Sequence, residues 1–241
     1  MNRRTGTTSF VVLAAALVVS GCFKLSRTSP PVERYVLGGA MLAPPSAAAR
    51  EASADSGGAA GLSIGLRRID LAPYLATLAI VVRRADNEIV TTGFHRWAEG
   101  PGTGVNRAVS GYLASSAGIR AVDVAPWPIR AEHDYLVQLH VTRLEGVVPG
   151  GAGTRTGEAH VLAQWEIIVP FDGAIVARGV TDHRATDWVV DDYGSLVTRL
   201  DLGLVKLSRE IVECLQRLGP AVATPAAGAP APRPTVECSA R

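Results

Sequence analysis

From about Asp192 to Leu218, the residues Leu196, Leu200, Leu204, Leu207, Ile211, Leu215 and Leu218 recur every three or four positions, and Asp201, Lys206, Arg209, Glu210 and Arg217 oppose them. That spacing predicts one long amphipathic helix, ended by Gly219-Pro220. A stripe of this length has to be covered, and the simplest cover is a sheet made by the rest of the same chain. The acidic pair Asp191-Asp192 stands where the helix begins and suits its free amides and its dipole.

The chain upstream supplies that sheet. Alternating or β-branched runs occur at Tyr35–Leu37, Leu62–Ile69, Leu78–Arg83, Glu88–Thr92, Ile119–Val124, Tyr135–Leu144, Ala159–Val169 and Ala174–Arg184. In the sixth run Tyr135, Val137, Leu139 and Val141 share a face, the pattern of a half-buried strand. Phe171-Asp172-Gly173 joins the last two runs as a hairpin turn. A second, shorter helix is predicted over Val105–Ala117, where Val105, Ala108, Val109, Tyr112 and Leu113 fall at helical spacing. The resulting fold class is α+β: a single domain with a mixed, largely antiparallel sheet packed with two main helices, the second long and C-terminal.

The first residues follow a different plan. Arg3 and Arg4 precede an apolar run from Phe10 to Val19, and Val19-Ser20-Gly21 leads into Cys22. The run has about half the length needed to span a bilayer, as in an export signal. The cysteine after two small residues resembles the lipobox of bacterial lipoproteins, in which the thiol takes a lipid. The expected organisation is a signal peptide over 1–21, a lipidated tether over 22–32 and a domain over 33–218. Within the domain, residues 43–61 form an Ala/Gly-rich loop or insertion, and a Pro/Ala-rich disordered tail follows over 219–241.

Removing Arg3 and Arg4 from 24 basic and 22 acidic residues leaves 22 of each. With no basic stripe to displace counterions, nucleic acid is not an expected partner. Beyond Cys22 the cysteines are Cys214 and Cys238. In an oxidising compartment they can pair, tying the tail to the last helix, or remain as two free thiols.

A catalytic centre is not visible. The chain has no G-x-S-x-G elbow. His95, His133, His140, His160 and His183 stand singly, are expected to turn their rings to solvent, and form no metal-ligand pattern. Gly100-Pro101-Gly102-Thr103-Gly104 lacks the ending of a phosphate loop and is expected to be a flexible lead into the first helix. Neither a catalytic residue, a metal site nor a cofactor is expected.

Three stretches resemble one family. Glu33-Arg34-Tyr35-Val36-Leu37 is similar to its tyrosine-containing first strand. Phe94-His95-Arg96-Trp97-Ala98-Glu99, preceded by Leu71-Ala72-Pro73-Tyr74-Leu75, is similar to its RWAE signature and Pro-x-Tyr-Leu element. Gln164-Trp165-Glu166 and the helix holding Leu207-Ser208-Arg209-Glu210-Ile211 match its late pattern. On these the chain resembles the ABC-type transport auxiliary lipoproteins of the PqiC/YmbA-like kind. The resemblance implies a non-enzymatic role in lipid transport across the Gram-negative envelope. Its partners would be an MCE-domain protein and ABC transporter subunits, with a membrane anchor through Cys22 and homo-oligomerisation left open. Phe23, rather than an acidic residue, follows Cys22, which by analogy with enteric sorting points to the outer membrane.

In the signature, Trp97 offers a large apolar plate and Arg96 and Glu99 offer charge-assisted hydrogen bonds, for locking a strand-to-helix junction or for touching a partner. The partner surface expected from this is a sheet edge with the loop entering the first helix, where Arg107→Glu would weaken association without unfolding. A structural envelope lipoprotein contacting outer-membrane machinery or cell wall is the alternative function. A hydrolase with a site built from distant residues is the third.

Overall fold

A computed structural model describes residues 29–39, 61–85, 87–150, 153–220 and 235–238. The signal peptide, Cys22 and nearly all of the 43–61 segment lie outside these residues.

The central strand, β7 (Tyr135–Val148), shows why the sheet forms where it does. Its first half alternates as the sequence predicts, with Tyr135, Val137, Leu139 and Val141 buried. A register irregularity between Val141 and Arg143 then shifts the alternation. Glu145 is buried beyond it, so the strand continues to Val148 past the expected limit at Leu144.

One edge of β7 pairs antiparallel with β8 (Thr156–Ile168), which pairs antiparallel with β9 (Ile175–Val189). The other edge takes three strands in turn, all parallel: β2 (Leu62–Leu66), β3 (Asp70–Leu71) and β4 (Ala79–Arg84). β4 forms a hairpin with β5 (Glu88–Trp97), against which β1 (Glu33–Tyr35) runs parallel. β6 (Ile119–Val124) pairs with the free side of β2. The longest ladders are antiparallel, and the parallel pairings make the sheet mixed.

Helix α1 covers Pro101–Ala114, starting four residues before the expected Val105. Pro101 lacks the N–H that the first turn would leave unbonded, so the Gly-Pro-Gly stretch becomes the helix start instead of a flexible lead. Helix α2 covers Tyr193–Leu218, and the Asp192 carboxylate accepts a hydrogen bond from the Ser195 amide at 3.0 Å, capping the first turn. Leu196, Leu200, Leu204, Leu207, Ile211 and Leu215 are fully buried, and α2 packs on β8, β9 and α1. At Gly203 the helix comes so near β8 that an added Cβ would lie 2.6 Å from Val161. Beside this contact the Trp165 ring lies flat over Gly179, where a Cβ would sit 2.1 Å from it.

The outer edge of β9 is closed in pieces. β10 (Val236–Glu237) pairs parallel with Ala177 and Arg178, so part of the tail expected to be disordered is a strand. Farther along, Lys206 Nζ donates to the Asp182 carbonyl at 3.0 Å and an Arg199 guanidinium N–H to the Asp187 carbonyl at 3.1 Å.

Cys214 and Cys238 form a disulfide that fastens β10 to α2 across a separation of 24 residues. A loop of this size stabilises by up to about 3 kcal/mol on the chain-entropy estimate. Reduction should therefore release β10 and lower the melting temperature. Titration of the denatured, unreduced protein should find no free thiol from these two residues, and two reactive thiols would exclude the bond.

Candidate functional site

The signature residues gather at the junction of β1, β5 and α1. Trp97 ends β5 with its side chain buried, and its amide donates to the Leu78 carbonyl at 2.7 Å. The next amide, of Ala98, donates to the Tyr35 carbonyl at 2.8 Å. Glu99 then accepts from Arg107 at 2.6 Å, and the same guanidinium donates to the Leu37 carbonyl at 2.8 Å. Arg107 therefore ties α1 to the segment after β1. Reversing its charge removes that tie and sets a carboxylate against Glu99, so the expected separation of recognition from folding does not hold at this residue.

Arg96 is exposed and donates to its own Gly93 carbonyl at 3.2 Å. Tyr35 donates from its hydroxyl to Glu33 at 2.5 Å and lies 3.2 Å from His95 Nδ1, whose ring stacks on Tyr193 at 4.3 Å. Burial, reinforced by Glu33, pushes the Tyr35 hydroxyl up to about 12. Tyr35, Trp97, Glu99 and Arg107 thus lock the strand-to-helix junction, while Arg96 alone points to solvent.

The face of the sheet away from the helices carries an ion network. Glu145, with no exposed side-chain surface, accepts from Arg83 at 2.7 Å and from Arg143 at 3.0 Å. Tyr74 accepts from Arg83 at 3.3 Å and donates to the Thr142 carbonyl at 2.9 Å. On the neighbouring strands, His160 meets Asp182 at 2.9 Å. His160 and the side chain of His133 are buried, contrary to the expectation of solvent-facing rings. Each has a carboxylate that lets the ring leave water, Asp182 on the neighbouring strand for His160 and Asp123 at β6 for His133, which lies in the segment before β7. On the helix side Trp165 donates to Thr181 at 3.3 Å, and Thr181 donates to the buried Glu210.

Burial, then the Arg184 guanidinium, holds His160 below the ordinary histidine value, and burial, then Lys206, does the same for His183. Unfolded histidines take up a proton near pH 6.5, whereas these folded rings resist until lower pH. The unfolded state therefore binds more protons in that interval, and stability falls as pH drops below about 6.5. Melting temperatures should decline between pH 7.5 and pH 5.5, and His160→Gln should make the decline shallower. An unchanged slope in that variant would show that His160 does not contribute.

A groove of about 520 Å³ opens between α1 and the segments that follow β2 and β6, lined in part by Arg68, Ile69, Thr103, Asn106 and Val124. Thr103 belongs to the Gly-rich stretch before the first helix, but Arg68, Ile69, Asn106 and Val124 come from three separate segments and none belongs to a motif, so the sequence does not bring them together. The Pro126-Trp127-Pro128 run beside the groove was the one local signal, a rigid apolar stretch outside any periodic element.

Among the described residues no group of three His, Cys, Asp or Glu is placed to hold a metal ion, and no helix is long and apolar enough to cross a membrane. His95, His133, His140 and His160 pair with carboxylates, while the buried Nε2 of His183 has no hydrogen-bond partner among the described residues. The described contacts bring no serine or cysteine to these rings as a nucleophile.

A protein from Xanthomonas campestris assigned to the DUF330 family has a similar solved structure, with a TM-score of 0.55 at 18% identity over 63% of this chain and 82% of that one. A second solved structure, of an uncharacterized protein, gives a TM-score of 0.51 at 18% identity over 63% of this chain and 90% of its own. Both likenesses concern the fold. No curated protein matches the chain. The model of the family described as ABC-type transport auxiliary lipoprotein component matches residues 42–212. That match takes in the Arg96–Glu99 junction, the ion network and most of α2, and the chain belongs to this family.

Proposed function

We propose that the protein is a lipid-anchored, non-catalytic auxiliary subunit of an MCE/ABC-type intermembrane lipid transport system. It docks to the periplasmic MCE-domain component from the outer membrane of a Gram-negative bacterium. The family match over residues 42–212 carries the reading. The tie of the signature residues into the fold and the pairing of the buried charges support it, because a docking scaffold needs rigidity and leaves recognition to exposed loops.

The test is direct capture. The purified lipoprotein, in nanodiscs, is mixed with the purified MCE-domain protein and with the transporter's permease–ATPase. Saturable binding to the MCE-domain protein is the expected result. Absence of binding, together with retention on wall polymers, would replace this reading with that of a structural envelope lipoprotein.

A further inference from the structure

We infer that the transporter's periplasmic protein is gripped at the end of the domain where β7 begins, by the loop from Ala125 to Arg130 and the groove beside it. This rests on the function proposed above and assigns its docking surface.

Ile129 stands fully exposed at the tip of this loop. Water around an aliphatic side chain is a standing cost that a partner relieves. The loop is braced: the Trp127 ring meets the His133 ring edge-on at 5.0 Å, and His133 is held by Asp123 at 2.9 Å. Pro126 and Pro128 remove further backbone freedom, so little ordering remains to oppose binding.

Val124 and Ala125, at the root of the loop, also line the groove, which makes knob and groove one continuous surface. The groove's charge is supplied by Arg68, which is exposed and makes no ion pair among the described residues. Arg107, on the opposite wall, is already neutralised by Glu99. An unpaired guanidinium in the groove, with an exposed isoleucine on the loop that leaves its wall at Val124 and Ala125, fits a partner segment that sets a carboxylate beside an apolar side chain.

A bilayer fits the same end less well. β1 runs antiparallel to β7, because it is parallel to β5, which is antiparallel to β4, which is parallel to β7. β1 therefore starts toward the end where β7 finishes, whereas the Ala125–Arg130 loop lies beside the start of β7.

The test titrates the purified MCE-domain protein against the full lipidated chain in nanodiscs of phosphatidylethanolamine and phosphatidylglycerol. Ile129→Asp and Arg68→Glu should each weaken binding by about tenfold or more, as central contacts do, with melting temperatures unchanged because both residues are exposed. Val189→Asp, at the other end of the sheet, should bind like the wild type. Wild-type affinity in both Ile129→Asp and Arg68→Glu overturns the docking surface and leaves the proposed function standing. Failure of the wild type itself to bind removes both. A bimane label on Ile129→Cys that is quenched by doxyl lipid in the nanodisc would assign the loop to the membrane and also overturn the inference.

Discussion

Trp165→Ala is expected to lower stability by about 3–5 kcal/mol, the range for removing a buried tryptophan. The ring is 1% exposed, donates to Thr181 and fills the space over Gly179. The loss therefore combines a large cavity with an unpaired hydroxyl acceptor next to the buried Glu210. Gly179→Val tests the same contact from the other side. Its Cβ would enter the ring, so β9 has to move off β8 or the indole has to leave its rotamer, at a cost of about 1–3 kcal/mol or more. Chemical denaturation of both variants measures the effect. A Trp165→Ala protein within 1 kcal/mol of wild type would mean that the contact does not hold the sheet together.

Gln164-Trp165-Glu166 was legible as a strand because alternation is a local property, and so was the α2 stripe, whose six buried leucine and isoleucine residues repeat along a single element. The hairpin at Phe171-Asp172-Gly173 was legible for the same reason: Gly173 adopts φ 69°, which a turn residue without a Cβ takes freely. Glu145 was not legible. Its partner Arg83 lies 62 residues away, and an isolated glutamate in a β-branched run reads as the end of a strand. The parallel insertion of β2 between β6 and β7 was hidden too, since periodicity gives the face of a strand but not its neighbour. At the signature, composition identified Trp97 as a core candidate, but the role of Arg107 depends on the Leu37 carbonyl, 70 residues earlier.

Replacing Cys22 by alanine is expected to abolish lipidation and to leave the precursor uncut or, once processed, the protein unanchored. Each buried methylene of an acyl chain contributes about 0.8 kcal/mol, so several chains hold a protein firmly and their loss leaves nothing comparable. Among the described residues no helix offers a second means of crossing the bilayer. Fractionation in high salt is the measurement, because salt strips electrostatic adherence and leaves lipid anchorage intact. A processed Cys22→Ala protein that still sediments with membranes would end the lipoprotein reading of the N-terminus. The same variant should retain the melting temperature of the wild type, since the buried core of the described residues runs from Leu37 to Cys238.

Lys206 and Arg199, which reach from α2 to the carbonyls of Asp182 and Asp187, bear on how copies behave when crowded. A long edge strand with open backbone groups is a template for another chain, and β-rich proteins that leave one uncovered are prone to fibrous assembly. With β10 over one part of β9 and two cations on the Asp182 and Asp187 carbonyls, copies concentrated on a membrane surface meet an edge with fewer acceptors to offer. Lys206 also stands by the buried Glu210, so the test is made at Arg199: shortening it to alanine would leave the core intact yet expose part of that edge, and the result to anticipate is a protein that folds normally and precipitates at concentrations the wild type tolerates.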